Sequence, residues 1–511
     1  MSRIARKSFA LALAASVATI TPVALSAGSF APVAMAQSNA QNNQAVDLNA
    51  DVRLTIDKRV GDPGAEGTTA IPNDASSFTV ERVQMTNALN TAAGWQEASD
   101  IVAAGADQAT VTGEATTVPV TGGTAVFNDL SVGLYKVTET VNGNYTVAAP
   151  FLVTLPLTKD DGTLDYTPTI TPKNQLIEPK KNAADTNASV GDNITYTITA
   201  PVPAGDVNRD GERTISQFAI DDQLVDNLTY ANNTATVTLT GGGDGGATLT
   251  EGDYTLTTSD NQVQVAFTED GLQKLATARA DNPGLAVELT FDATVKSIPA
   301  NGQITNQANV TLPNRDEPVQ TTPDDTEDSE NGSTATRYVD VQITKTLNGQ
   351  NIEDGKNGND AQFQIFECTA TTGEGQAYSI ADGATALEGT NQEGTAKAGT
   401  TLTAQGEAPA AAVANGYALQ FDPEKQYCAV ETKAPEGYLL NPDPVALTLD
   451  TNVAQGQRPV YVAQVDNIKN NIWGMLPATG ERTMLIILAA GLLLFGAGAA
   501  YQLRRKNSAQ A

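Results

Sequence analysis

The chain has 511 residues, with 59 Asp and Glu against 30 Lys and Arg, a formal charge of −29, and no histidine. That balance excludes a basic stripe for nucleic acid, and the missing imidazole removes the usual triad base, the usual zinc ligand and the simplest pH switch. Thr, Val, Gly and Asn are plentiful while aromatics make up 5%, a composition of extended strands joined by turns.

Arg3, Arg6 and Lys7 precede a weakly apolar stretch from Phe9 to Ala27, and Ala34-Met35-Ala36 offers small residues for cleavage. Residues 1–36 therefore read as a secretory signal peptide, cut before Gln37 or a few residues away. Strand patterning begins at Val52–Ile56 and returns at Phe78–Val83, Phe127–Leu130, Gly133–Thr140 and Phe151–Leu157, with one helix expected over 94–104. These bound a first domain, 47–172. A second, 174–315, shows period-two alternation at Asn193–Thr199, Phe218–Ile220, Leu285–Phe291 and Ile304–Val310. Residues 314–335 are acidic and aperiodic, and read as a linker or long surface loop. A third domain, 337–470, has strands at Tyr338–Ile343, Ala361–Phe366, Gln426–Glu431 and Tyr461–Asn467, with a Gly-, Ala- and Thr-rich insertion over 370–415. Three successive strand-rich units predict a mainly β chain of three tandem immunoglobulin-like β-sandwiches. Leu476-Pro477-Ala478-Thr479-Gly480 follows. An apolar run, Met484–Ala500, is just long enough to span a bilayer, and Arg504-Arg505-Lys506 follows it almost at the C-terminus.

The pentapeptide, span and basic tail resemble the cell-wall sorting signal of Gram-positive surface proteins. The resemblance implies a sortase cysteine that cuts between Thr479 and Gly480, holds the Thr carbonyl as a thioester and passes it to an amine. Tyr427-Cys428-Ala429-Val430-Glu431-Thr432-Lys433-Ala434-Pro435-Glu436-Gly437-Tyr438 resembles the E box of CnaB-type pilin sandwiches, in which a Lys attacks an Asn beside a buried acid and ammonia leaves. Burial would disfavour the charged amine and the charged carboxylate together. On this resemblance Lys345, Glu431 and Asn467 form such a set. The parity of Lys345 with Val341 and Ile343 also points it into the core. In the second domain Ile220-Asp221-Asp222-Gln223-Leu224 resembles the acid-bearing strand. Asp222 is then the acid, Asn309 the electrophile, and Lys180 or Lys181 the nucleophile. The first domain has a weaker E-box copy, Tyr135–Thr140, with Lys58 and Glu139 but no evident Asn partner, so no bond is expected there and Glu139 reads as a structural remnant.

Read together, these features resemble the major shaft subunits of sortase-assembled pili, of the SpaA and FimA type, with CnaB- and CnaA-type domains. The resemblance implies a secreted, wall-anchored fimbrial polymer of copies of this chain. Its partners would be a class C pilin sortase, a housekeeping sortase, minor pilins, peptidoglycan and a host ligand. The only enzyme-like event would be single-turnover bond formation. The shaft-forming amine would be Lys173, at the end of Leu164-Asp165-Tyr166-Thr167-Pro168-Thr169-Ile170-Thr171-Pro172-Lys173. This stretch resembles the pilin motif in its Pro-Lys and departs from it at the Trp, the first Val and the Tyr. It lies at a domain boundary, where an exposed edge is expected. The alternative is a monomeric wall-anchored adhesin; a wall-anchored enzyme is disfavoured by the missing histidine.

Cys368 and Cys428, the only cysteines, fall in the third domain of an exported chain and read as a disulfide. Asp206-Val207-Asn208-Arg209-Asp210-Gly211 resembles the start of a calcium loop, with Asp206, Asn208 and Asp210 as ligands. Gln217 stands where a bidentate acid should, and a plain turn explains the stretch equally well. No other cofactor is expected.

Overall fold

The computed structural model describes residues 45–470, except 64–68, 73, 160, 208–211, 242–246, 325–328, 331–332, 350–359, 372–376 and 407–411. The signal peptide and the sorting signal, Leu476 to Gly480 with the span behind it, lie outside the described residues. The chain divides into two compact units, one built from residues up to Asn142 with Ala148–Gln175 and Asp206–Glu212, the other from Gly143–Val147, Leu176–Gly205 and residues from Arg213 onward.

In the first unit the strand Val52–Asp57 alternates buried and less buried residues. It pairs antiparallel with Thr124–Leu130 and parallel with Thr169–Ile170. A four-stranded sheet runs Val111–Pro119, Ser77–Val83, Gly133–Glu139, Phe151–Leu155. Inward residues of both sheets, among them Leu54, Ile56, Phe127, Phe78, Val80, Leu134 and Val137, make one apolar core. The expected helix forms as Ala92–Ala104, capped by the Thr91 side chain. The unit does not stop at 172: Lys173–Asn174 forms a further two-residue strand, parallel to Arg59–Val60.

The second unit contains two apolar cores. The first lies between the sheet that carries Asn193–Pro201 and Ala286–Val295 and the sheet that carries Gln262–Phe267, Ala219–Gln223 and Ala308–Thr311. Beside it runs a helix, Glu269–Asp281, that the alternation-based reading missed although Thr268, Glu269 and Asp270 are ordinary helix-start residues. The second core joins Val339, Val341 and Ile343 to Phe363, Ile365, Tyr427 and Val465. The 370–415 insertion contributes short strands, among them Gly389–Asn391, Lys397–Gly399 and Ala412–Ala414.

The expected linker over 314–335 is not one. Val319–Gln320 and Thr322–Pro323 are paired strands, and Arg315, Val319, Thr321, Thr334 and Ala335 are buried. The strand Ser333–Leu347 is continuous over 15 residues. Its start pairs with Gln303–Asn306 and its end runs parallel to Val460–Asn467. The two sandwiches of this unit therefore share one strand. Acidic composition misled because these residues gain partners only from strands distant in sequence.

Candidate cross-linking sites

Most lysines keep their ammonium in water. Lys345 is fully buried, in step with Val341 and Ile343. The parallel pairing that aligns Lys345 with Val465 sets Asn467 opposite Leu347. Glu431 comes from the neighbouring sheet, opposite Phe363. The Asn467 amide Nδ2 donates to Glu431 Oε2 at 2.6 Å and to the Leu439 carbonyl at 2.6 Å. Lys345 Nζ donates to the carbonyls of Val465 at 2.6 Å and Thr346 at 2.9 Å. Burial pushes the Lys345 amine down to about 8, against the pull of the Glu431 and Asp466 carboxylates. Glu431 Oε1 and Asn467 Oδ1 meet no hydrogen-bond partner although buried. An amine whose charge is disfavoured by burial thus lies in the same core as a buried amide and a buried acid, the ingredients of amide exchange.

In the middle sandwich Lys181 is buried, whereas Lys180 is partly exposed and its Nζ donates to Thr322 Oγ1 at 3.0 Å. Lys181 pairs with the fully buried Asp222 carboxylate, and its Nζ stands 4.6 Å over the Tyr196 ring. Burial lowers the Lys181 pKa and raises that of Asp222, each opposed by the other's charge. Both shifts favour the neutral pair. Asn309 does not join them. It is partly exposed and lies opposite Asp221, on the other face from Asp222. Asn306 is the buried amide beside Asp222, close enough to favour its charged form, and neither of its amide atoms has a partner in hydrogen-bonding geometry. The parity signal was present: Asn306 is in step with Ile304, Ala308 and Val310, and Asn309 is out of step.

The first unit brings together residues that sequence reasoning had left apart. Lys58 is buried, 2.7 Å from Glu139 Oε1. Asn174, also buried, donates from Nδ2 to both Glu139 oxygens at 3.1 Å. Asn174 was missed because its two-residue strand carries no alternation to read. Next to it, Lys173 is buried, not exposed as its boundary position suggested. Parallel pairing with Arg59–Val60 covers it.

Cys368 and Cys428 form a disulfide between adjacent strands, with Cα atoms 5.8 Å apart. Asp206 begins a short strand paired with Arg213–Thr214. Asn208 and Asp210 lie outside the described residues, and no metal-holding group of three acidic, His or Cys side chains occurs among those described.

Residues 73–175 match the family model of the N-terminal D1 domain of Gram-positive pilin subunits. The type 1 fimbrial subunit of Actinomyces viscosus is 31% identical over 540 residues, covering 95% of this chain and 97% of that protein. The type 2 fimbrial subunit of Actinomyces naeslundii is 30% identical over 524 residues, covering 93% and 94%. In fold, the full-length major pilin SpaD of Corynebacterium diphtheriae matches with a TM-score of 0.57 at 22% identity, covering 83% of this chain and 99% of SpaD. With that identity held over nearly the whole length of both fimbrial subunits, the chain belongs to the fimbrial subunits of Gram-positive bacteria and is a shaft subunit of a cell-surface pilus.

Proposed function

We propose that a sortase joins copies of this subunit head to tail through Lys173 and Thr479, and that each copy closes the amides Lys345–Asn467 and Lys181–Asn306 within itself. In the intermolecular step the Thr479–Gly480 peptide bond breaks and the sortase thiolate takes the acyl group. Lys173 Nζ then attacks the thioester, the new amide forms and the thiol is released. Such a heterologous contact does not close on itself, so it propagates a fibre. A pilin sortase would extend the fibre, minor pilins would join it, and a housekeeping sortase would fix its base to peptidoglycan.

The observation that carries this reading is whole-length similarity to fimbrial subunits in a chain that carries Leu476-Pro477-Ala478-Thr479-Gly480 ahead of an apolar run and a basic cluster. The burial of Lys173 adds a condition, that its two-residue strand opens locally to present the amine. The internal amides are supported by the convergence of buried Lys, acid and Asn in each sandwich of the second unit. Each would tie strands that a pulling force would otherwise separate.

The test replaces Lys173 with Ala in cells that carry the matching sortase. Detergent-resistant high-mass ladders should vanish while monomer is still secreted. A ladder that persists without Lys173 would assign the linkage to another amine. Wild-type cells that never form one would favour a monomeric adhesin.

A further inference from the structure

We propose that the middle site is conditional on the third sandwich: Thr334 and Thr336, at the start of the shared strand Ser333–Leu347, complete it, and the Lys181–Asn306 amide closes only once that strand has paired. The inference rests on the reading that Lys181, Asp222 and Asn306 form an amide.

The two reacting groups lie on strands that do not pair with each other. Lys181 belongs to Lys180–Ala184, which pairs with Asn193–Pro201 and with Thr322–Pro323. Asn306 ends the strand Gln303–Asn306. That strand pairs with the start of the shared strand, Asn306 opposite Thr334 and Ile304 opposite Thr336. Thr334 also reaches the other side, where its Oγ1 donates to the Lys181 carbonyl at 3.0 Å. A single residue of the shared strand thus touches the strand of the amine and the strand of the amide. Thr334 and Thr336 are buried, as are Lys181, Asp222 and Asn306.

Thr336 acts through Tyr196. The Tyr196 ring lies under Lys181 Nζ, 4.6 Å from it, an arrangement that holds the amine over the ring face. Burial drives the Tyr196 hydroxyl well above its ordinary range, and the Thr336 hydroxyl beside it pulls the other way. Thr336 therefore sets the ring, and the ring sets the amine. Pairings made in the third sandwich hold this stretch in place. Phe421 N donates to the Arg337 carbonyl at 3.1 Å, and Tyr338, Val339 and Asp340 pair with Gln420, Leu419 and Ala418. Tyr338 and Ala418 pack into the middle core, whereas Val339 and Leu419 pack into the third. Neighbouring residues of one strand are thus anchored in both cores, and the start of that strand cannot be placed while the third core is open. Once it is placed, Lys181 Nζ attacks Asn306 Cγ. The Nζ–Cγ bond forms, the Cγ–Nδ2 bond breaks, and Asp222 carries one proton from Nζ to Nδ2, which leaves as ammonia. Such an attack slows about a hundredfold when its groups are misplaced by ~1 Å.

The experiment follows each bond by peptide-level mass spectrometry of the full secreted chain, with time after synthesis. Each closure removes one ammonia, about 17 Da. Ile343→Asp, which puts a charge into the third core, should leave both the Lys345 and the Lys181 site open. Lys345→Met removes the third-sandwich amide but not the strand pairing, and should leave closure at Lys181 at its wild-type rate. Thr336→Val should slow closure at Lys181 about tenfold without changing closure at Lys345, and Thr336→Ser, which restores the hydroxyl, should return the rate. The Thr336 pair of variants decides the matter should Ile343→Asp fail to fold at all. Closure at Lys181 in Ile343→Asp at the wild-type rate would overturn the dependence on the third sandwich. A Thr336→Val rate equal to wild type, or one that Thr336→Ser does not restore, would overturn the positioning role of the hydroxyl. Wild-type chain that never loses ammonia at Lys181 would instead overturn the amide reading of that site.

Discussion

At the scale of single residues, burial decides which lysines lie beside a buried acid and amide. The chain offers Lys180 and Lys181 side by side, and pairing with Asn193–Pro201 turns only Lys181 inward. The same logic separates Asn306 from Asn309. Asn306→Ala should restore one ammonia, about 17 Da, to the mature mass, while Asn309→Ala should leave that loss intact. Peptide-level mass spectrometry distinguishes the two, and a bond that survives Asn306→Ala would return the role to Asn309. The Lys345 amine is neutral above its folded-state value of about 8. Lysine is nucleophilic only when deprotonated, so the closing rate of the Lys345–Asn467 bond after refolding should climb as pH rises through about 8. A rate that falls across that interval would place the limiting proton on the acid instead. Glu431→Ala should abolish that bond, because the acid that both accepts from Asn467 and pulls on the lysine charge is gone.

At the scale of elements, both helices begin in the same way. Thr91 and Thr268 accept from the N–H of a glycine three residues on, Gly94 and Gly271. A Cβ on Gly94 would stand 2.1 Å from the Ala88 carbonyl, and one on Gly271 1.8 Å from the Asp253 carbonyl. The helix starts are therefore pressed onto backbone that only glycine admits. Thr268→Ala should cost about 1 kcal/mol, the usual loss of a cap. Gly271→Ala should cost more, and thermal unfolding of the two variants gives the order. The disulfide joins adjacent strands across 60 residues of sequence. On the chain-entropy account its removal by paired Cys368→Ser and Cys428→Ser changes should cost about 4 kcal/mol. That loss should be smaller in a chain that already holds the Lys345–Asn467 amide, since the amide has shortened the loop left to constrain. Equal losses with and without the amide would show that the two cross-links act independently.

At the scale of the whole molecule, the proposed amides and the shared strand would work on the same problem. A shaft subunit carries load along the fibre, and under the proposed linkage that load enters at Lys173 and leaves at Thr479. The strand Ser333–Leu347 passes from one core of the second unit to the other without a break. A proline within its middle, such as Tyr338→Pro, would remove the N–H that donates to the Gly302 carbonyl at 2.7 Å and break the ladder there. Limited proteolysis should then cut between the two sandwiches, where the wild type resists. A digestion pattern unchanged by the proline would mean that the strand is not what holds them together. Fibre formation belongs to this scale too, and the loss of ladders in Lys173→Ala is its measurement.

The sequence alone determined what depends on local pattern and on composition. Alternating Val, Ile and Thr segments identified the sandwich strands. The E box with its resemblance located Glu431, and step with Val341 and Ile343 turned Lys345 inward. Cys368 and Cys428 were paired by number and compartment. These are properties of a few neighbouring residues, and pleating converts them directly into a face. Tertiary structure decided whatever needed a partner from far along the chain. Asn174 lies on two residues that become a strand only against Arg59–Val60. Within the acidic 314–335 stretch, Val319–Gln320 and Thr322–Pro323 become strands only against Asn309–Val310 and Lys180–Lys181. Lys173 was expected at an open edge and is covered by that same short pairing. Asp74, invisible as a motif, stands 3.3 Å from Lys58 only because folding brings the two together. Non-local pairing has no periodic trace in the sequence, so the contacts that place a nucleophile beside its amide appear only once the sheets have closed.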